Sequence, residues 1–465
     1  MKGMEQQMRF TVLTSILLST AIFLAPAFAS IDEKFPFFPS LINSDTGEPV
    51  PSSDFYPPKK CAGCHRDLFN EWNGSMHSNA IKDPIFTALW KLAAEEGGEG
   101  TENLCAGCHT AVGTLAGEVT RDDEGNFQMS EIAREGVQCH LCHSIVGTSM
   151  LETPTNMPQN ASIVVRPSKV MRGPFKDAEP MWHQAEYSEL HTKAEFCGNC
   201  HNVFHPANNF HIENTYNEWK FSIYAQKGII CQDCHMMPIE KAIETAKTLT
   251  RPKNPGKATG FSKERENIFT HEFVGANFTV TALLGADKHA EIAKKRLKSA
   301  ARLDLTLPEK ASVDGITRVN VRVNNVGAGH NLPTSLTEVR QVWLDIKITD
   351  DEGKIIYTLG DLDDKGNIKA GADLFGVEAV DSEGHHTIKP WEIERFTYNK
   401  TIPPKGYADR EYSFIVPKES KGPLKVRATL RYRGYPQAVA NYLLGDDAPV
   451  LPIVDMTTVE GSLPL

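Results

Sequence analysis

The chain has no cysteine to spare. All ten stand inside five copies of one short pattern, so neither a separate disulfide framework nor an isolated reactive thiol is on offer. Basic runs are also missing, and the formal charge is -10. A nucleic-acid-binding domain would carry a basic patch, so that class of function is excluded. Long acidic runs are absent as well, and the acidic excess reads as a solvated surface. There is no low-complexity tract. Beyond the N-terminal stretch no apolar run reaches the ~18 residues that a membrane-spanning helix needs. What remains is an ordinary globular composition over 465 residues, long enough for two or three domains.

The N-terminus reads as a leader. Lys2 and Arg9 flank a polar start, Phe10 to Leu24 is apolar, and "APAFA" sets small residues at Ala27 and Ala29 before Ser30. This is the pattern of a secretory signal over residues 1–29, cleaved after Ala29. The apolar stretch is short for an anchor, and no cysteine follows the cleavage point to take a lipid. The mature chain is expected to have no membrane span, in the periplasm or at the cell surface.

The repeated pattern is "CAGCH" at Cys61–His65 and again at Cys105–His109, "CHLCH" at Cys139–His143, "CGNCH" at Cys197–His201 and "CQDCH" at Cys231–His235. Disulfides suit an exported chain, but they give no reason for a histidine after every second cysteine. Zinc sites use pairs of C-x-x-C, yet five pairs leave one unmatched and the histidine unneeded. Covalent haem explains all three positions. One helical turn brings both sulfurs to the two vinyl groups of a porphyrin, and the next residue turns its imidazole to the iron. With 16 histidines in 465 residues, chance would fill all five positions roughly once in tens of millions of such chains. The expectation is five haem c groups, attached through Cys61, Cys64, Cys105, Cys108, Cys139, Cys142, Cys197, Cys200, Cys231 and Cys234. The proximal ligands are then His65, His109, His143, His201 and His235.

Eleven histidines remain, enough to give every iron a second imidazole. His77 follows the first motif in "EWNGSMHSNA", where a short helix is expected. His183 and His191 lead into the fourth motif, and His271 opens "HEFVGAN" after the last. His330 lies in the Gly- and Pro-rich turn "NVGAGHNLPTS", where glycines would let backbone approach a cofactor. A turn histidine facing water is the plainer alternative there. His140 sits inside a motif and is expected to point away from the porphyrin. His385 and His386 fall in a polar loop. Met76, Met236 and Met237 compete as ligands and would raise the potential, but the histidine supply favours paired histidines.

Weak hydrophobic periodicity from about 56 to 278 predicts short helices and long loops packed around haems, after an N-terminal extension over 30–55. A connecting helix is expected over 279–307, where "ALLGADKHAEIAKKRLKSAAR" is rich in helix formers. Over 308–465 the period changes to two. Val319, Val321 and Val323 alternate with polar residues, as do Val342, Leu344, Ile346 and Ile348. With "DDEG" and "PPKG" as turns, this predicts an antiparallel β-sandwich.

"CAGCHRDLFNEWNGSMHSNA", "GVQCHLCHSIVG", "AEFCGNCHNV", "TYNEWKFSIYAQKGIICQDCHMMP" and "HEFVGAN" resemble segments of bacterial multihaem cytochromes c of the cytochrome c-552/4-like group. That group is related to hydroxylamine oxidoreductase and its tetrahaem electron acceptor. "NVGAGHNLPTSLTEVRQVWLDI" resembles the β domain often fused to them. The resemblance implies closely stacked haems that pass electrons, with His77, His183, His191 and His271 as distal ligands and His330 in the Gly-His turn. His140, and Ser335 where the family turn reads PTG, depart from the pattern.

The leading expectation is an electron carrier serving other cytochromes or membrane quinol-linked complexes, with no nucleic-acid partner and no catalytic residue of its own. A reductase or oxidase of a small nitrogen or sulfur compound would need one open iron. The haem on His109 has the least obvious distal partner and is the candidate; the C-x-x-C-K attachment of one nitrite reductase class is absent. A third expectation is a homo-oligomer, complex or filament subunit in which His330 reaches a neighbour's haem.

Overall fold

The computed structural model describes residues 35–98 and 100–465. The leader expected over 1–29 lies outside the described residues. Among them, no helix is long and apolar enough to cross a membrane.

The first half is built from short helices and two- or three-stranded ribbons. Its longest helix, Pro84–Glu96, shows how local chemistry sets an element. Asp83 caps it by accepting hydrogen bonds from the Ile85 and Phe86 amides, proline opens the first turn, and Ile85, Trp90 and Ala93 are buried on one side. The motifs fold as single turns. The His65, His201 and His235 amides donate to the carbonyls of Cys61, Cys197 and Cys231 at 2.9, 3.0 and 2.9 Å. Second and third motifs end the helix Thr101–His109 and form the helix Cys139–His143. Apolar clusters here are small and separate, as expected where large cofactors complete the interior.

The connecting segment is two helices, Phe278–Leu283 and Asp287–Ala300, followed at once by a strand, Ala301–Thr306. The expected helix over 279–307 is therefore too long by that strand. Ala301 and Leu303 point inward while Arg302 and Asp304 are exposed, so the strand alternates although its residues are good helix formers.

From there the chain is antiparallel sheet. One sheet runs Ala301–Thr306, Ile316–Asn325, Tyr407–Ile415, with Val321 facing Leu305 on one side and Arg410 on the other. The larger runs Ile355–Leu359, Gln341–Thr349, Leu424–Arg433, Val454–Leu463, with Leu374–Phe375 also against Gln341–Thr349. Val319, Val321 and Val323 of the first sheet join Val342, Leu344, Ile346, Ile348, Val426 and Leu430 of the second in one buried cluster. The alternation seen in the sequence is thus the inward side of each sheet.

The two halves are joined by specific polar contacts. Tyr435 donates its hydroxyl to Asp83 at 3.1 Å, and the Gly434 amide donates to Thr279 Oγ1 at 3.1 Å. Thr334 Oγ1 donates to Glu218, whose carboxylate also accepts the Asn331 amide at 3.1 Å. A side chain at Gly327 would collide with the Ser299 carbonyl, so glycine there lets the His330 turn lie against the connecting helix.

Candidate haem sites

All ten cysteines are free. Among the described residues no group of three or more His, Cys, Asp or Glu is gathered to hold an ion, which counts against zinc. Burial pushes the Cys105 and Cys142 thiols up to about 12 and that of Cys234 to about 11. The motifs adjoin one another: the side chains of Cys61 and Cys139, of Cys108 and Cys200, and of Cys197 and Cys231 lie against each other. The first motif is thus joined to the third, and the fourth to both the second and the fifth.

The five motif histidines share a feature that their spacing alone does not show. Each has Nδ1 against an acceptor: His65 on the Ala258 carbonyl at 2.9 Å, His109 on Ala80 at 2.7 Å, His143 on Arg172 at 2.5 Å, His235 on Val274 at 2.9 Å, and His201 on Glu213 Oε1 at 3.4 Å. This leaves Nε2 as the lone-pair nitrogen, the arrangement by which metal-binding histidines are oriented.

Four of these rings face a second histidine. Ring centroids are 6.2 Å apart for His65 and His183, 6.4 Å for His201 and His77, 6.5 Å for His143 and His271, and 6.2 Å for His235 and His330. Two metal–nitrogen bonds of about 2 Å, plus the ring radii, give about 6 Å. The spacing fits one iron between each pair. Burial holds His77 and His271 down at about 3, so both stay neutral, as a ligand must. His183 and His271 set Nδ1 on the Gln184 and Phe269 carbonyls at 2.8 and 3.1 Å. Met181 and Trp182, beside His183, are 73% and 80% exposed; bare apolar groups at that place suit a hydrophobic macrocycle. The residues present fit the cofactor.

Residues 60–144 match the family model described as cytochrome c554 and c-prime. A penta-heme cytochrome c552 from Thermochromatium tepidum has the same fold over 89% of this chain and 100% of its own, at TM-score 0.64 and 17% identity. Over residues 60–144 the chain is similar to multihaem c-type cytochromes, and it shares the fold of one of them. A CARDB domain from Pyrococcus furiosus aligns with 35% of this chain and 85% of its own at TM-score 0.17 and 10% identity, too loosely to bear on the fold. No curated protein sequence matches the chain.

His109 differs from its four counterparts in this chain. Among the described residues no histidine ring faces it, and Phe86 stacks on its ring at 3.7 Å. The paired arrangement expected throughout is therefore absent at the second motif. His191 also needs a separate account. Its ring is 5.7 Å from that of His143, but its Nε2 lies 3.2 Å from the Cys142 carbonyl and its buried Nδ1 has no partner. His271 is the better placed of the two for His143. His77 sits in a turn after the helix Arg66–Trp72, not on a helix. His330 meets His235 of its own chain.

Other histidines of the chain are tied to backbone. His140 accepts the Tyr56 amide on Nδ1 at 2.8 Å and places Nε2 2.9 Å from the Ser168 carbonyl. His289 is buried, its Nε2 2.7 Å from the Glu71 carbonyl. His385 and His386 are exposed.

Sequence reading passed over three charged groups beside the motifs. Glu213 is buried against His201. Burial opposes protonation of that imidazole, but the Glu213 carboxylate outweighs it and carries His201 up to about 9. Glu71 accepts the His271 amide at 2.9 Å, and burial pushes its carboxyl up to about 7. Arg296, on the connecting helix, donates from Nη2 to the Cys234 carbonyl at 2.9 Å. No spacing rule marks such residues, and Glu71 and Arg296 reach their partners from distant segments.

Proposed function

We propose that this chain is an exported multihaem c-type cytochrome that carries electrons between redox partners outside the cytoplasm, through five covalently attached haem c groups. Four would be held by His65 and His183, His143 and His271, His201 and His77, and His235 and His330. The observation that carries this reading is the set of four facing imidazole pairs at 6.2 to 6.5 Å. Iron bound by two imidazoles supplies one-electron chemistry with no open site for substrate. The chain's contribution is to orient each imidazole and set the local charge. Adjoining attachment points suit transfer from one group to the next. The leader pattern supports export, and the two sheets with a shared core support a β-sandwich over about 308–465, docked on the haem-binding part at 56–278.

A second reading has a specific observation behind it. Because no histidine faces His109, that site would leave one iron open to a small ligand, as an oxidoreductase of a nitrogen or sulfur compound requires. The stacked Phe86 ring packs against the imidazole that would hold this iron.

Haem content tests the main reading. Five haems per chain by pyridine haemochrome, with an intact mass equal to the chain from Ser30 plus five haems, supports it. Fewer haems, or a motif whose thiols still react with an alkylating reagent, would overturn it.

A further inference from the structure

The fourth and fifth motifs touch through Cys197 and Cys231, yet their surroundings carry opposite charge. We propose that Glu213 and Arg296 set a step in reduction potential between these two sites, so that the site of His235 and His330 is where an electron rests in preference to that of His201 and His77. This rests on the haem reading above.

Arg296 comes from the helix Asp287–Ala300. Apart from Nη2, which meets the Cys234 carbonyl, its guanidinium is short of partners: Nε is buried with none. Among the described residues no acidic side chain pairs with Arg296. Its field acts on both His235 and His330. Lys405 adds a second cation from the sheet region, its Nζ fixed by the Ala246 and Val326 carbonyls at 2.7 and 2.9 Å. The Arg296 cation stands beside two facing imidazoles. A fixed positive charge favours the reduced iron, which carries one positive charge less. The third motif shows the contrast. Its buried guanidinium, Arg172, has Glu186 at 3.3 Å to neutralise it.

At the fourth motif the sign is reversed. Glu213 is buried, its Oε1 3.4 Å from His201 Nδ1, and no lysine or arginine pairs with it among the described residues. A carboxylate on the far nitrogen of a ligand imidazole raises its basicity and favours the oxidised metal. Exchange between the sites moves one electron and breaks no bond; one-electron redox proteins are the outside donor and acceptor.

The test is a spectroelectrochemical titration of the exported holoprotein, followed by EPR. His330→Ala and His77→Ala mark which low-spin signal belongs to the fifth and which to the fourth site. In the wild type the fifth site is reduced at higher potential than the fourth. Arg296→Gln moves the fifth step down and leaves the others in place, Arg296→Lys keeps it near the wild type, and Glu213→Gln moves the fourth step up. A fifth site reduced after the fourth, or unmoved in Arg296→Gln with full haem content, overturns the proposal. Haem mass at Cys231 and Cys234 is read first; its absence would instead defeat the reading on which the proposal rests.

Discussion

The ring of His330 stands 6.2 Å from that of His235, although one belongs to a turn between C-terminal strands and the other to the last of the five motifs. The sheet region therefore supplies part of a site whose cysteines lie in the helical half. His330→Ala should remove one low-spin haem of the four and leave haem content unchanged. The freed iron should become high-spin and bind added imidazole. EPR of the oxidised variant checks this, and an unchanged low-spin count would separate His330 from ligation.

The site on His109 makes the opposite prediction for the unaltered protein. Carbon monoxide added to the reduced protein should bind at about one iron per chain, with the remaining Soret intensity unaffected. A protein inert to carbon monoxide would mean that some other residue caps the iron.

His140 separates structural from ligating histidines. Both its nitrogens are spent on backbone, on the Tyr56 amide and the Ser168 carbonyl. His140→Ala should keep all haems and all spin states while lowering stability by about 1–3 kcal/mol for the buried groups left unpaired. Denaturant titration beside the optical spectrum reads both quantities.

Glu338 gives a pH dependence. Both carboxylate oxygens are buried without a partner, and burial pushes the group from 4.5 up to about 7. In that window the folded chain keeps a proton that the unfolded chain has released, so this residue's effect is to make stability fall as pH rises. Glutamine cannot ionise. Glu338→Gln should be close to neutral near about pH 5 and stabilising near about pH 8, by up to about 3 kcal/mol. Thermal melts at the two pH values check the sign; equal effects at both would remove ionisation as the cause.

The β core predicts ordinary packing costs. Leu344 is fully buried among residues of both sheets, and Leu344→Ala should cost about 2–5 kcal/mol. Val450 is 88% exposed, and its truncation should cost little. Comparable losses at both positions would argue against the shared core.

Much of this was legible in the chain. The motif fixes both sulfurs and one imidazole within a single turn, so local spacing was enough. The alternation of Val319, Val321 and Val323 named the inward side of its strand because a sheet has period two. The second imidazoles were legible as candidates but not as partners. His77 meets His201 and His143 meets His271, pairings made by long loops that leave no periodic trace. His191 and His271 were both candidate distal ligands in the sequence, and the Nε2 contact of His191 with the Cys142 carbonyl separates them. The strand Ala301–Thr306 was hidden because Ala, Arg and Leu are strong helix formers, although Ala301, Leu303 and Leu305 already alternate with polar residues.

The most direct test of the central claim is EPR of the oxidised holoprotein with its haems counted. Four facing histidine pairs and one unpaired motif histidine predict four low-spin haems and one high-spin haem per chain. A spectrum with five low-spin haems would close the site on His109, and one with fewer than four low-spin haems would contradict the pairing itself.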